Sequence, residues 1–158
     1  MEQGGVLEQR GDAIGVVEGV VGQRRFSIQV DGQPNHAGTT PMTLRQDALV
    51  AASRIVLAVE TMARQHPGDP VATVGRLEVW PNAANVVPGS VALTVDLRDV
   101  DSVVLDQLVA ELMQQVERIG AETGCPIQLE PQFEVEPTAA ADGVMAVSYT
   151  HLRAHETG

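Results

Sequence analysis

His36 is the residue whose surroundings point most directly to chemistry. It lies in the stretch Pro34-Asn35-His36-Ala37-Gly38-Thr39-Thr40-Pro41-Met42, between a strand-like run and a helical run. Loops at such junctions present side chains rather than bury them. With Asn, Gly and Thr neighbours, this imidazole could donate a hydrogen bond, act as an acid or base, or ligate a metal. A surface histidine with no task is the simpler interpretation of this stretch considered alone.

Two arginines could complete an anion site near this loop. Residues 25–30 alternate between apolar and polar side chains, which places Arg25 on the polar face of a strand, and residues 91–98 place Arg98 on a polar face in the same way. Both arginines then point to one open side of a sheet. A guanidinium fits a carboxylate through two parallel hydrogen bonds. Two solvated arginines among many acids are an equally open interpretation.

No other arrangement of catalytic residues in the sequence competes with this one. There is no Gly-x-Ser-x-Gly motif, no glycine-rich phosphate loop and no convincing pairing of cysteine with histidine. The single cysteine, Cys125, cannot form an internal disulfide and is typical of a small residue near a helix end. His151 and His155 have the i, i+4 spacing of a zinc site, but they lie in a terminal segment that resembles a translated sequencing adapter.

Two amphipathic helices are predicted to support the loop. Thr43 and Gln46 have the spacing of a capping box, which predicts that the first helix begins there, and Pro67-Gly68 ends it. Asp101 or Ser102 caps the second helix, which Gly124-Cys125-Pro126 ends. The predicted buried faces are Ala48, Ala52, Ile55, Val59 and Met62 in the first helix, and Leu105, Leu108, Leu112, Val116 and Ile119 in the second.

Four strands complete the pattern. They cover residues 25–30, 71–80, 91–98 and 127–135, with a bulge expected at Gly75-Arg76, where the alternation slips. The order strand, helix, strand, strand, helix, strand predicts an α+β fold of the ferredoxin-like βαββαβ type, with two helices on one face of a four-stranded antiparallel sheet. The apolar face of the last strand is predicted to be Ile127, Leu129, Phe133 and Val135.

The composition limits the partners of the protein. A chain of 158 residues that is 44% hydrophobic can form its own core, and a formal charge of -11 argues against a nucleic-acid partner. No run is long and apolar enough for a membrane span, and no charged-then-apolar leader opens the chain. We therefore expect a protein that binds neither nucleic acid nor membranes. Since a lone cysteine suits a reducing compartment, we also expect the protein to be cytoplasmic.

Five ordered pieces of the chain together form a specific pattern. The pieces are Glu2-Gln3-Gly4, Gly22-Gln23-Arg24-Arg25, the His36 loop, Asn85-Val86-Val87-Pro88-Gly89 and Asp96-Leu97-Arg98. In their order and spacing they resemble the lid, or dimerisation, domain of the aminoacylase/carboxypeptidase-like zinc amidohydrolases. The resemblance is to the branch of allantoate amidohydrolases and N-carbamoyl-L-amino acid hydrolases, and it covers residues 2–138.

This resemblance implies roles for six residues. In such enzymes a catalytic domain holds two metal ions, usually zinc, and a glutamate base, while the lid clamps the substrate. His36 would reach the active site of the partner subunit and donate to the developing oxyanion, an effect on the order of a hundred- to a thousand-fold in rate. For substrate binding, Asn85 and Arg98 would hold the carboxylate, Arg25 and Gln23 the ureido side, and Gln3 would lie beside the metal shell.

The resemblance also implies how the chain is divided. Residues 1–22 would be a remnant of the catalytic domain with a hinge, residues 23–138 the lid, residues 139–146 the start of the return to the catalytic domain, and residues 147–158 a non-native tail. The two zinc or manganese ions of the parent would have no ligands in this fragment. We therefore expect the fragment alone to be inactive and the parent to be a homodimer.

The favoured function is hydrolysis of a ureido or carbamoyl C–N bond in a small anionic ureido substrate. Allantoate or a related ureido acid is preferred because of the Gln23-Arg24-Arg25 run before the first strand. An N-carbamoyl-L-amino acid is the alternative substrate. A ferredoxin-like module without catalysis, which dimerises or binds a small molecule, is the alternative from a different class.

Overall fold

A computed structural model of the protein describes Gly5, Gln9, Gly11 and residues 19–139. Gln3 lies outside the described residues. So do residues 140–158, which include His151 and His155. These residues cover the whole predicted tail, 147–158, and all but Ala139 of the predicted segment 139–146.

The chain divides into two units. One consists of Met1–Val20 and Thr138–Gly158, and there β1 (Gly19–Val20) pairs with β8 (Thr138–Ala139) in antiparallel fashion. The other unit is Val21–Pro137. Its long strands are β2 (Gly22–Asp31), β4 (Val71–Trp80), β6 (Ser90–Asp99) and β7 (Ile127–Val135), its short strands are β3 (Asn35–His36) and β5 (Val86–Val87), and its helices are α1 (Ala48–Gln65) and α2 (Ser102–Thr123).

The long strands form one antiparallel sheet in the order β4-β6-β2-β7. Helix α1 follows β2 and α2 follows β6, so the predicted ferredoxin-like βαββαβ fold is confirmed. The core lies between the helices and one sheet face, because β2 and β6 alternate buried and partly exposed residues along their length. Every residue predicted for the apolar stripes of the two helices is buried.

The predicted start of α1 is wrong. Thr43 lies in a turn of 3₁₀ helix, Met42–Leu44, and makes no side-chain cap there. The helix begins at Ala48, because the carboxylate of Asp47 accepts hydrogen bonds from the backbone N–H groups of Leu49 and Val50. The predicted cap of α2 is confirmed at Asp101, as is its end at Gly124, which has a left-handed φ of 69°.

Bulges change the side-chain faces of both edge strands. The expected bulge in β4 is confirmed by a register shift between Val74 and Arg76. In β7 a second shift occurs: Phe26 pairs with Pro131, but Arg25 pairs with Phe133. The prediction that Phe133 and Val135 share the apolar face of Ile127 and Leu129 is therefore wrong, because one extra residue reverses every face that follows.

The shift places Glu134 beside an arginine on the core side of the sheet. Arg24 is 6% exposed and lies on the same face of β2 as Phe26. Its guanidinium contacts Glu134 at 3.2 Å and Glu136 at 2.6 Å, and it lies 3.7 Å from Asp106 of α2. It also donates to the backbone carbonyl of Val135 at 3.1 Å. This buried charge is thus paired and hydrogen-bonded, as a buried guanidinium must be.

Candidate functional site

The open face of the sheet carries a cluster centred on Asp96, which we name the Asp96 cluster. It contains Gln23, Arg25, Asp96 and Arg98, which β2 and β6 hold at adjacent register positions. Arg25 donates to Asp96 from Nε at 3.1 Å and from Nη2 at 2.8 Å. Arg98 donates from Nε at 2.7 Å, and the amide of Gln23 also donates to this carboxylate. The structure therefore brings together three of the predicted substrate-binding residues.

Asp96 was not among the predicted site residues, although it organises three of them. Burial by itself would raise the pKa of its carboxyl, but hydrogen bonds from Arg98, Arg25 and Gln23 outweigh burial and hold that pKa below its usual value. The same pairing raises the pKa of the Arg98 guanidinium. Two cations share one carboxylate, so the cluster carries one positive charge in excess within a chain of formal charge -11.

A groove of about 560 Å³ lies over this cluster. Because the β4 bulge redirects the strand, Arg76 joins Arg25, Asp96 and Arg98 in its lining. Arg76 is paired with Glu78 at 2.8 Å. Phe133 lies on the same open face of the sheet, with its ring centroid 5.8 Å from Cζ of Arg25. Neither Arg76 nor Phe133 was predicted as a site residue. The slipped alternation at Gly75-Arg76 was the available signal for Arg76.

His36 and Asn85 meet at the other end of the sheet. Beyond the last pair of the β2–β6 ladder, Gly32 donates to the carbonyl of Gly89 at 2.8 Å, and β3 then pairs with β5. His36 is opposite Val86, and the Ala37 N–H donates to the Asn85 carbonyl at 2.9 Å. Both predicted side chains are exposed. The structure therefore brings this second pair of predicted residues together.

The His36 ring has a defined orientation. Its Nδ1 accepts a hydrogen bond from the Gly38 N–H at 3.1 Å. In a neutral imidazole an accepting Nδ1 leaves the proton on Nε2. Among the described residues, no hydrogen bond to Nε2 of His36 is formed, and the ring is exposed. This nitrogen can therefore donate to a ligand.

The two groups lie far apart within one chain. Arg98 is paired with Gln23 near the start of β2, whereas His36 follows the end of that strand at Asp31. The eight steps from Gln23 to Asp31 amount to about 26 Å at about 3.3 Å per residue. One copy of the chain does not bring His36 within reach of a small molecule bound to Arg98.

The part of the chain that the structure describes holds neither a candidate metal site nor a candidate membrane-spanning helix. No three residues among its His, Cys, Asp and Glu lie together in a way that could hold a metal ion. None of its helices combines the length and apolar character needed to cross a bilayer.

The sequence and the fold match known proteins. Residues 19–124 match the family described as "Peptidase dimerisation domain". The chain is 43% identical over 139 residues to the allantoate amidohydrolase of Escherichia coli (strain K12), covering 87% of this chain and 33% of the relative. It is 37% identical over 159 residues to the N-carbamoyl-L-amino-acid amidohydrolase of Paenarthrobacter aurescens, covering 96% of this chain and 39% of the relative.

A similar fold occurs in the crystal structure of an amidase of the hydantoinase/carbamoylase family from Burkholderia multivorans. The TM-score is 0.91 with 44% sequence identity, covering 97% of this chain and 38% of that chain. The chain spans 33% and 39% of the length of the two curated relatives. All three relatives are thus longer proteins in which a segment corresponds to this chain.

Proposed function

The chain belongs to the peptidase dimerisation domain family and to the amidohydrolases that carry this domain, and from this premise we propose that it is the lid of a ureido-acid amidohydrolase. The family resemblance predicted from its motifs is confirmed. The reaction we propose is hydrolysis of a ureido or carbamoyl C–N bond, with allantoate as the first substrate candidate. The 43% identity to an allantoate amidohydrolase supports that choice.

The observation that carries the proposal is the grouping of donors into two sets. Arg25, Arg98 and Gln23 surround Asp96 on an open sheet face, and His36 is held beside Asn85 by the β3–β5 ladder. A substrate with a carboxylate is attracted to the excess positive charge of the first set. A carbonyl that gains negative charge during the reaction is matched by the neutral donors of the second set.

Each residue then has a definite task. The Nε and Nη2 atoms of Arg98 are engaged by Asp96, so its outer Nη1–Nη2 edge is the one we assign to the substrate carboxylate. Arg25 and Gln23 would contact the ureido group, and Asn85 would bind polar groups next to the carboxylate. His36 would donate from Nε2 to the oxygen of the attacked carbon, where negative charge develops in the transition state.

The separation of the two sets supports action of His36 in a second subunit. Within one chain, most of the length of β2 lies between Arg98 and His36. A two-fold dimer joins the His36 set of one copy to the Arg98 set of the other, and does so twice. We infer that the protein is a homodimer in which each site takes residues from both chains.

The part of the chain that the structure describes offers no binding site for a metal ion. Its residues contain no group of His, Cys, Asp and Glu that could hold one. We propose that two zinc or manganese ions are held by the remainder of the enzyme, where they would activate water. We therefore expect turnover to require the full-length enzyme and this chain alone to be inactive.

The substrate is tested by assaying the full-length enzyme with allantoate and with a series of N-carbamoyl-L-amino acids. We expect the higher kcat/KM with allantoate. The second candidate is an N-carbamoyl-L-amino acid, supported by 37% identity over 96% of the chain to an amidohydrolase of that type. A clear preference for N-carbamoyl substrates would replace the first candidate with the second.

The shared site is tested by coexpressing two inactive variants of the full-length enzyme, His36→Ala and Arg98→Ala. About half of the dimers are mixed, and one of their two sites has both residues intact, so we expect about a quarter of wild-type activity. If both residues act within one chain, the mixture is no more active than either variant alone, and the dimer proposal fails.

A further inference from the structure

We propose that Arg45 is a positioning residue for His36, and that it acts through the peptide group between Ala37 and Gly38. The inference rests on the proposed function, in which His36 donates from Nε2. It adds a residue to the site that neither the motifs nor the sheet geometry had indicated.

The guanidinium of Arg45 ties two points of the His36 loop together. Arg45 follows the 3₁₀ turn and is half-buried. Its Nη2 donates to the Ala37 carbonyl at 2.6 Å, and its Nε donates to the Thr40 carbonyl at 3.0 Å. Thr40 in turn donates to the His36 carbonyl from its hydroxyl at 2.8 Å and from its backbone N–H at 3.1 Å. The backbone of the loop is thus held by one side chain that lies outside it.

The contact with Ala37 matters most, because this carbonyl belongs to the same peptide group as the Gly38 N–H. That group is planar, with its oxygen and its hydrogen pointing in opposite directions. Arg45 binds the oxygen, and the hydrogen is donated to Nδ1 of His36. Fixing one end of the peptide therefore fixes the direction of the other.

The charge of Arg45 adds to this geometric effect. A cationic donor on the carbonyl polarises the peptide group and strengthens its N–H as a donor. A stronger donor at Nδ1 favours the tautomer of His36 with its proton on Nε2. Ala37 also donates its N–H to the Asn85 carbonyl. The residue that Arg45 binds therefore links the backbones of His36 and Asn85.

A second histidine provides an internal control. His66 accepts a hydrogen bond at Nδ1 from the Gly68 N–H, also at 3.1 Å, and its Nε2 lies 3.3 Å from Oε1 of Gln107. Within residues 19–139, no arginine side chain donates to the peptide group between Pro67 and Gly68. His66 therefore has the local geometry of His36 without the arginine.

The test is a measurement of histidine tautomers by ¹⁵N NMR on the chain as it stands, with the backbone amides recorded on the same samples. In Arg45→Ala we expect the ratio of the Nε2–H to the Nδ1–H form of His36 to fall by about two- to tenfold, as for one lost hydrogen bond. The Gly38 amide signal should move, and the signals of His66 and Gly68 should not. Arg45→Lys, which keeps the charge but offers a single point contact, should give an intermediate ratio.

Arg54→Ala is the matched control, because Arg54 lies on α1 and its described ion pair is with Glu122. It should leave His36 and Gly38 unchanged. Unchanged signals of these two residues in Arg45→Ala would overturn the inference. Should Arg45→Ala lack the dispersed spectrum of a folded chain, Arg45→Gln decides in its place, since it keeps a donor and loses the charge: a moved Gly38 signal supports the inference and an unmoved one overturns it.

This outcome is independent of catalysis. If Arg45→Ala changes the tautomer ratio but His36→Ala leaves turnover of the full-length enzyme unchanged, the proposed function fails and the positioning inference stands. The reverse pair of results would retain the function and remove Arg45 from the site.

Discussion

The ring of Phe133 lies under the guanidinium of Arg25, with its centroid 5.8 Å from Cζ. The β7 bulge creates this contact, because it moves Phe133 from the core face of the sheet to the open face. A guanidinium that rests on an aromatic face loses part of its rotational freedom before a ligand arrives. If Arg25 binds the substrate as proposed, we expect Phe133 to aid binding by preorganising this guanidinium, without contacting the substrate itself.

We predict that Phe133→Ala in the full-length enzyme raises KM for the ureido substrate by about two- to fivefold, as expected for an exposed cation–π contact of about 0.5–1 kcal/mol. The value of kcat should change little, because Arg25 is assigned to binding. Steady-state kinetics measure both. Phe133→Leu, which keeps an apolar side chain without the ring, should resemble the Ala variant, and a wild-type KM in both would remove Phe133 from the site.

The alternation of polar and apolar residues was enough to predict the sheet faces of β2 and β6. Each of these central strands has one covered face, so the period of two is preserved from end to end. The edge strand β7 is different. Among the described strands it pairs with β2 alone, so its register can shift at a bulge without disturbing a second neighbouring strand. Pro131 was the available warning, since proline inside a strand is found mainly at edges and bulges.

Two of the residues that the sequence did not reveal, Asp96 and Arg24, owe their roles to partners distant along the chain. Asp96 binds Gln23 and Arg25, which are 73 and 71 residues away. Arg24 is paired with three acids, namely Glu134 in β7, Glu136 just after β7 and Asp106 in α2. Arg45 binds loop carbonyls, which no side-chain pattern encodes. The predicted capping box failed for a simpler reason: Asp47 offers a better cap four residues later.

The Asp96 cluster should contribute to stability in a pH-dependent way. The pKa of Asp96 is lower in the folded chain than its usual value of about 4, so the folded state favours the carboxylate. Its contribution is then fully present above about pH 4 and is lost as the pH falls through the lowered pKa. Chemical unfolding of the wild type and of Asp96→Asn, from pH 7 to pH 2.5, measures this.

We expect the wild type to be more stable than Asp96→Asn at pH 7, and the difference to shrink below about pH 4. Other acids titrate in the same range, but they are common to both proteins and cancel in the difference. A difference that is constant across the whole range would show that the carboxylate is not stabilised by the two arginines.

The buried Arg24 should contribute more to the free energy of unfolding than an arginine in an exposed ion pair. Arg24→Met keeps the length of the side chain but removes the partner of Glu134, Glu136 and the Val135 carbonyl. These carboxylates are largely exposed and can be rehydrated, so we expect a loss of about 1–3 kcal/mol in the free energy of unfolding. Urea unfolding at pH 7 gives the value. Arg64→Ala, which breaks an exposed i, i+4 pair with Glu60, is the control and should cost less than about 0.5 kcal/mol.

His36→Ala in the full-length enzyme is the variant on which the proposed chemistry depends. If Nε2 of His36 donates to an oxygen that becomes negative in the transition state, its removal should lower kcat by on the order of a hundred- to a thousand-fold. KM should change much less, because we assign the substrate carboxylate to Arg98 and not to the imidazole. Steady-state kinetics with saturating and limiting substrate separate the two effects.

His66→Ala is the matched control for this variant. His66, at the end of α1, has the same hydrogen bond at Nδ1, but its Nε2 lies beside Gln107 of α2. His66→Ala should retain wild-type kcat. His36→Ala removes the acceptor of the Gly38 N–H, but the hydrogen bonds of Arg45 and Thr40 to the loop backbone do not involve the imidazole, so the loop should keep its fold. A kcat equal to that of the wild type in a folded His36→Ala enzyme would therefore mean that the imidazole contributes nothing to the transition state.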